Sequence, residues 1–287
     1  MSDSILTYMR NPTPSTIKLP AGATDTHVHV FGPGSKFPYS PTSHFVPEDA
    51  TKETLFALHA KAGIDRCIIV QSLVHGLDNS AVEDAMIAAK GRYLGVAMVP
   101  LDVSDTELKR LADVGFRGIR FHFMKGRPGH TPQQVIEFSK RLVPLGLHLQ
   151  IHFDGSLAKE LTPFLIQSPV PVVIDHMGRV DATLGIEHEH FQAVCRLIEH
   201  RDFWVKVCGI DRIDANPPYK LGIPFARHLV QQYTEKCVWG TDFPHPNHTH
   251  MPDDGILFDS LAQIAPKPDV LHRLLVDNPM RLYRFSA

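Results

Sequence analysis

His27 and His29 stand two residues apart in the segment Asp25-Thr-His-Val-His-Val30. On an extended strand a two-residue step returns the side chain to the same face, so both imidazoles point one way and two neutral ring nitrogens can bind one cation. Further imidazoles and a carboxylate follow short apolar runs: His152 in Gln150-Ile-His-Phe153, His176 in Ile174-Asp-His-Met-Gly178, and Asp242 with His245 in Trp239-Gly-Thr-Asp-Phe-Pro-His-Pro-Asn247. Three or four nitrogen and oxygen donors with one position left open describe a catalytic zinc-type site. Taken singly, each histidine reads equally well as a polar core or loop residue with a backbone partner. As a set, His27, His29, His152, His176 and Asp242 point to one site. The chain holds 18 histidines against 6 tyrosines and 2 tryptophans, so the surplus is divided between this set and ordinary polar positions. His188, His190, His248 and His250 are read as rim or exposed residues, and Cys208 as a buried thiol without a base.

Convergence of these residues requires elements that bring distant segments together. Short β-type runs at 23–31, 66–72, 93–99, 116–124, 148–155, 171–178, 203–209 and 237–243 alternate with amphipathic stretches at 49–63, 79–91, 105–115, 131–146, 156–167, 188–201 and 218–236. The runs around Ile68 and Val172 are apolar without alternation, as in parallel strands covered on both faces. Asp49, Asp105 and Thr131 sit where N-caps belong, and Gly63, Gly91, Gly115 and Gly146 where helices should stop. Eight βα units in succession predict a single (β/α)8 barrel over 23–287, preceded by a proline-rich arm over 1–22. A doubly wound sheet is the competitor, but its Gly-x-Gly-x-x-Gly turn after the first strand is absent. In a barrel, chemistry belongs at the carboxyl ends of the strands, where all five site residues fall. Closure makes the eighth strand a neighbour of the first.

Composition removes other classes. The 287 residues carry a net charge of −2 with no long Lys/Arg run, which argues against nucleic acid or an anionic membrane as partner. No apolar run approaches the roughly 20 residues of a membrane span. The four cysteines, Cys67, Cys195, Cys208 and Cys237, form no Cys-x-x-Cys pair, so a reduced, cytoplasmic setting is expected. Self-association into a homo-oligomer is left open. Arginines gather where the barrel mouth should be: Arg120 on the fourth strand, Lys125 and Arg127 after it, Arg179 after the sixth and Arg212 after the seventh. Guanidinium forks pair with carboxylate or sulfonate, so a small anionic substrate is expected. Ser72, His75 and Asn247 are further substrate-contact candidates.

Three segments carry a family resemblance: Gly22-Ala-Thr-Asp-Thr-His-Val-His-Val-Phe-Gly-Pro33, Val173-Ile-Asp-His-Met-Gly-Arg179 and Trp239-Gly-Thr-Asp-Phe-Pro-His-Pro-Asn247. They resemble the amidohydrolase superfamily, and within it the branch containing 2-pyrone-4,6-dicarboxylate lactonase. The resemblance implies a distorted (β/α)8 barrel and hydrolysis of a lactone with acidic substituents. That lactonase works without a metal and has tyrosine where this chain has His152. Histidine there gives the superfamily's metal set, His27, His29, His152 and Asp242, with His176 beside the attacked carbonyl. One divalent ion is therefore expected, zinc first. Phe45 and the segment Met124-Lys-Gly-Arg127 also depart from that lactonase in the substrate pocket, which widens the expectation to muconolactones bearing carboxylate or sulfonate.

Hydrolysis of an internal ester needs an activated water, an electrophile on the carbonyl oxygen and a proton for the leaving oxygen. Asp242 is the expected base, and His176 with His245 would hold the developing oxyanion or orient Asp242. The runner-up readings are metal-independent lactone hydrolysis by the same Asp242, decarboxylation, sugar-acid lactone isomerisation and a non-catalytic metal-binding barrel.

Overall fold

The computed structural model describes residues 4–126 and 129–285. Eight parallel strands among them follow one another in spatial order: β1 (Thr24–Val28), β2 (Arg66–Val70), β3 (Tyr93–Ala97), β4 (Phe116–Phe123), β5 (His148–Phe153), β6 (Val172–Ile174), β7 (Phe203–Lys206) and β8 (Cys237–Val238). Between them lie α1 (Lys52–Ala62), α2 (Ser80–Ala88), α3 (Asp105–Val114), α4 (Pro132–Ser139), α5 (Ala158–Leu165), α6 (Glu189–Glu199), α7 (Ile210–Ile213) and α8 (Ile223–Gln232). After β8 come α9 (Asp254–Ile264), α10 (Pro268–His272) and α11 (Asn278–Tyr283), the last two joined by a π turn. Backbone bonds from Thr26 N–H to Trp239 O (2.9 Å), Asp242 N–H to His27 O (2.8 Å) and His29 N–H to Phe243 O (2.6 Å) close β8 on to β1. The architecture is the (β/α)8 barrel expected from the alternation. None of the helices is long and apolar enough to cross a membrane, among the described residues.

All eight strands are shorter than the predicted runs, β6 and β8 the most, and in these two for one reason. His176, Met177, Gly178 and Arg179 all take positive φ, as do Asp242, His245 and Asn247. Left-handed backbone breaks an extended strand and is costly for residues with a Cβ, so it concentrates where structure is over-determined. The helix expected at 131–146 splits into α4 and a 3-10 turn because Pro144 lacks the N–H that would continue it. Thr131 caps α4 in a capping box with Gln134, while Ser104 caps α3 one residue before Asp105. Asp49 caps no helix; its Oδ1 instead accepts from Gly34 N–H and the Tyr39 hydroxyl.

Close approach at the seam demands glycine. A Cβ on Gly240 would lie 2.5 Å from the backbone nitrogen of His27 and 2.8 Å from Asp25 Oδ1. The segment before β1 is tied down by its polar groups: Thr13 binds Asp253, and Ser15, Thr16 and Ile17 bind Asp259.

Candidate active site

The alternation of β1 turns His27 and His29 into the barrel, and the seam brings Asp242 against them. Oδ1 of Asp242 lies 3.3 Å from His29 Nε2, 3.6 Å from His27 Nε2 and 3.8 Å from His176 Nε2. Its other oxygen accepts from Arg212 at 2.5 Å. Burial alone would push the Asp242 carboxyl up. The Arg212 guanidinium outweighs it and holds the group well below the usual carboxylate range.

Partners fix the tautomers. His29 Nδ1 is 2.7 Å from the Val70 carbonyl, which can only accept, so Nδ1 carries the proton. His27 Nδ1 faces Asp175 Oδ1 at 3.3 Å without the alignment of a hydrogen bond, and a carboxylate on that side favours the proton on the same nitrogen. Burial keeps both rings neutral, lowering His27 to about 3. Their Nε2 lone pairs therefore face a carboxylate oxygen with no proton between, an arrangement that a cation satisfies. The donor atoms of His27, His29 and Asp242 lie within 4.8 Å of one another, so these residues fit a bound divalent ion.

His152 stands apart from this compact set. Its ring packs 5.2 Å from those of His176 and His122, and neither nitrogen has a hydrogen-bond partner. It faces the same chamber, a space of about 170 Å3 also lined by His29, His122, His176, Arg120, Arg179 and Arg212. Ser72 and Asn247 line it too. A wider, more apolar vestibule of about 500 Å3 adjoins it, sharing Leu73, Arg120, His122, Met124 and Asn247 and adding Phe45 among others.

Several expectations need correction. His245 does not line the chamber: its backbone is left-handed and its ring is fully buried, with Nε2 3.1 Å from Asp254 Oδ1. His75 is occupied by the backbone, with Nε2 accepting from Gly32 N–H at 3.1 Å and Nδ1 donating to Pro38 O at 3.1 Å, so neither nitrogen serves a substrate. Arg212 lines the chamber as expected and is in addition bound to Asp242 and to Pro246 O. Arg120 already has an anion, since its Nε donates to Asp175 Oδ2 at 2.8 Å. Cys208 does have a histidine partner, with Sγ 3.2 Å from His176 Nδ1. Burial keeps Cys208 a thiol, which leaves His176 with its proton on Nε2, towards the chamber. His248 is buried against Asp211 instead of lying on the rim. Arg127 lies outside the described residues.

Sequence reasoning missed Asp175, Lys206 and His122. Asp175 couples His27 to Arg120, and the fully buried Lys206 lies 4.0 Å from it while donating to Thr26 O. Burial lowers the Lys206 ammonium to about 8 against the pull of Asp175. The available signal was a lysine within the apolar run Trp204-Val-Lys-Val207 and a second polar residue beside His176.

The sequence pattern of the amidohydrolase family matches residues 24–285, which is all eight strands and the closing helices. The chain belongs to the amidohydrolase family. Among its relatives, a 2-pyrone-4,6-dicarboxylate hydrolase of Comamonas testosteroni is 42% identical over 97% of this chain and 95% of that one. A 4-sulfomuconolactone hydrolase of Hydrogenophaga intermedia is 36% identical over 94% and 91%. A crystal structure of a probable 2-pyrone-4,6-dicarboxylic acid hydrolase from Acinetobacter baumannii, with citric acid bound, superposes with a TM-score of 0.83 at 25% identity, covering 92% of this chain and all (100%) of the other. This amidohydrolase thus shares its barrel, from the first strand to the last helix, with enzymes named for lactone opening.

Proposed function

We propose that this amidohydrolase is a lactone hydrolase of aromatic-compound breakdown, opening an anionic ring lactone of the muconolactone, sulfomuconolactone or pyrone-dicarboxylate type. The observation that carries the reading is Asp242: a fully buried carboxylate held ionised by Arg212 and set against His29 and His176, which line a chamber walled by imidazoles and guanidinium groups. Such a group is ionised and so available to accept a proton, beside a space that selects anions. The kinship with lactone hydrolases supports the same class.

In this mechanism Asp242 takes a proton from water as its oxygen adds to the lactone carbonyl. The Nε2–H of His176, and the edge of Arg120 that borders the chamber, stabilise the oxyanion. Collapse of the tetrahedral adduct breaks the ring C–O bond, and Asp242 returns its proton to the departing oxygen. The product is an open chain with one new carboxylate and one new hydroxyl or enol. Arg179 and Asn247, with Ser72, border the region where acidic substituents of the ring would sit. His27, His29 and Asp242 would hold one divalent ion, zinc being the first choice for an imidazole-rich set, with His152 as a further donor on the facing wall. When bound, it supplies Lewis acidity to the carbonyl and to water.

Turnover of a panel of pyrone and muconolactone acids tests the reading, in metal-replete and chelated protein. Asp242→Asn should lower kcat by about 10²–10⁴ while a product analogue still binds. Failure of the wild-type protein to open any lactone above the buffer rate in both metal states would refute it.

A further inference from the structure

Behind the proposed catalytic carboxylate lies a second cluster that no part of the lactone chemistry uses. Asp211 stands in α7, just after β7, and His245 and His248 stand in the loop after β8. Their donor atoms lie within 4.8 Å of one another, and none of the three belongs to the His27, His29 and Asp242 set. All are secluded: the side chains of Asp211 and His245 are 0% exposed and that of His248 is 4% exposed.

Hydrogen bonding does not account for the cluster. His248 Nε2 comes within 2.6 Å of Asp211 Oδ2 but without the alignment of a hydrogen bond. His245 Nδ1 stays 4.0 Å from the same oxygen, too far for one. Both Asp211 oxygens, His245 Nδ1 and both His248 nitrogens are left without hydrogen-bond partners, as are the His250 nitrogens and the hydroxyl of Thr7 nearby. So many buried polar atoms in one place are costly unless something satisfies them. The far side of His245 suggests what does. Its Nε2 faces Asp254 Oδ1 at 3.1 Å, and a carboxylate only accepts, so that nitrogen donates, and Nδ1, on the Asp211 side, can hold either a proton or a cation. A ring that donates to a carboxylate through one nitrogen while the other binds the ion is the usual arrangement of a metal-bound histidine.

We propose that Asp211, His245 and His248 form a second cation site, for a divalent transition ion of the zinc class. Two imidazoles and a carboxylate suit that class, and His250 or a solvent molecule can complete four-coordination. A cavity of about 260 Å3, lined by Leu6, Thr7, His245, His248 and His250 among others, gives an ion a way in beside the N-terminal segment. The site has a positioning role. Asp211 is followed by Arg212, whose guanidinium holds Asp242, and the backbone N–H of His245 donates to the Asp242 carbonyl at 2.8 Å. One ion there fixes both loops that hold Asp242, whatever substrate the chamber takes.

The test uses untagged full-length protein given two equivalents of zinc, freed of excess by gel filtration, and analysed by metal counting and by diffraction on both sides of the zinc edge. The expected result is an anomalous peak among Asp211, His245 and His248, with one equivalent per chain lost in His248→Gln but kept in His29→Gln. The wild-type crystal stands alone if a variant fails to fold. Absence of that peak in zinc-loaded wild-type crystals overturns the proposal, and so does a zinc content unaltered in folded His248→Gln. Loss of zinc in His29→Gln alone would speak for the chamber site and against this one.

Discussion

Replacing Arg212 by methionine asks whether the pair it makes with Asp242 is a structural necessity. The side chains are 7% and 0% exposed, so solvent screens neither charge. Removing one partner of a buried pair leaves the other charge uncompensated, at a cost of about 3–5 kcal/mol. The loss should depend on pH with a defined sign. Asp242 titrates well below its ordinary range in the folded protein, so its pairing contributes fully above the unfolded value of about 3.9 and fades as pH falls towards the folded value. The destabilisation of Arg212→Met should therefore be full at pH 7 and shrink below about pH 4. Urea unfolding of metal-free protein, followed by the fluorescence of Trp204 and Trp239 and by circular dichroism, reads this directly. A penalty below about 1 kcal/mol, the same at pH 7 and pH 3.5, would return Arg212 to the role of a solvated rim charge.

Other consequences are equally open to measurement. Lys206→Met should remove a rise in stability between about pH 8 and pH 10.4, roughly 3 kcal/mol in the wild type, because the unfolded lysine binds a proton that the buried one has released; parallel denaturation curves across that range would contradict the placement of Lys206. His75→Ala should cost about 1–3 kcal/mol of stability by orphaning Gly32 N–H and Pro38 O, and a raised KM without lost stability would restore it as a substrate contact. Gly240→Ala should cost at least about 1–3 kcal/mol through its clash with His27, visible as a lowered Tm. An unchanged Tm would mean that the seam is looser than described.

The barrel was legible because its signal is local and repeated: apolar runs such as Ile68–Val70 between amphipathic helices recur until closure is the simplest outcome. His27 and His29 were legible because a two-residue spacing fixes their common face. What remained hidden depends on partners far along the chain. Arg120 meets Asp175 two strands away, and His75 is consumed by backbone groups of the loop after β1. His245 follows a left-handed turn that no periodicity announces, so its ring meets Asp254 and Asp211 although it lies three residues after Asp242. Lys206 could have been singled out as a charge within an apolar run, but its role depends on the depth of the barrel.

The seam between β1 and β8 also bears on how the chain is made. His27 and His29 emerge early in synthesis, while the carboxylate they face and the backbone bonds that hold it come only with residues 239–243. No nascent or truncated chain that stops short of this segment can assemble the donor set, whatever its first seven strands have done. Completion of the candidate donor set and sealing of the cylinder thus depend on the same segment.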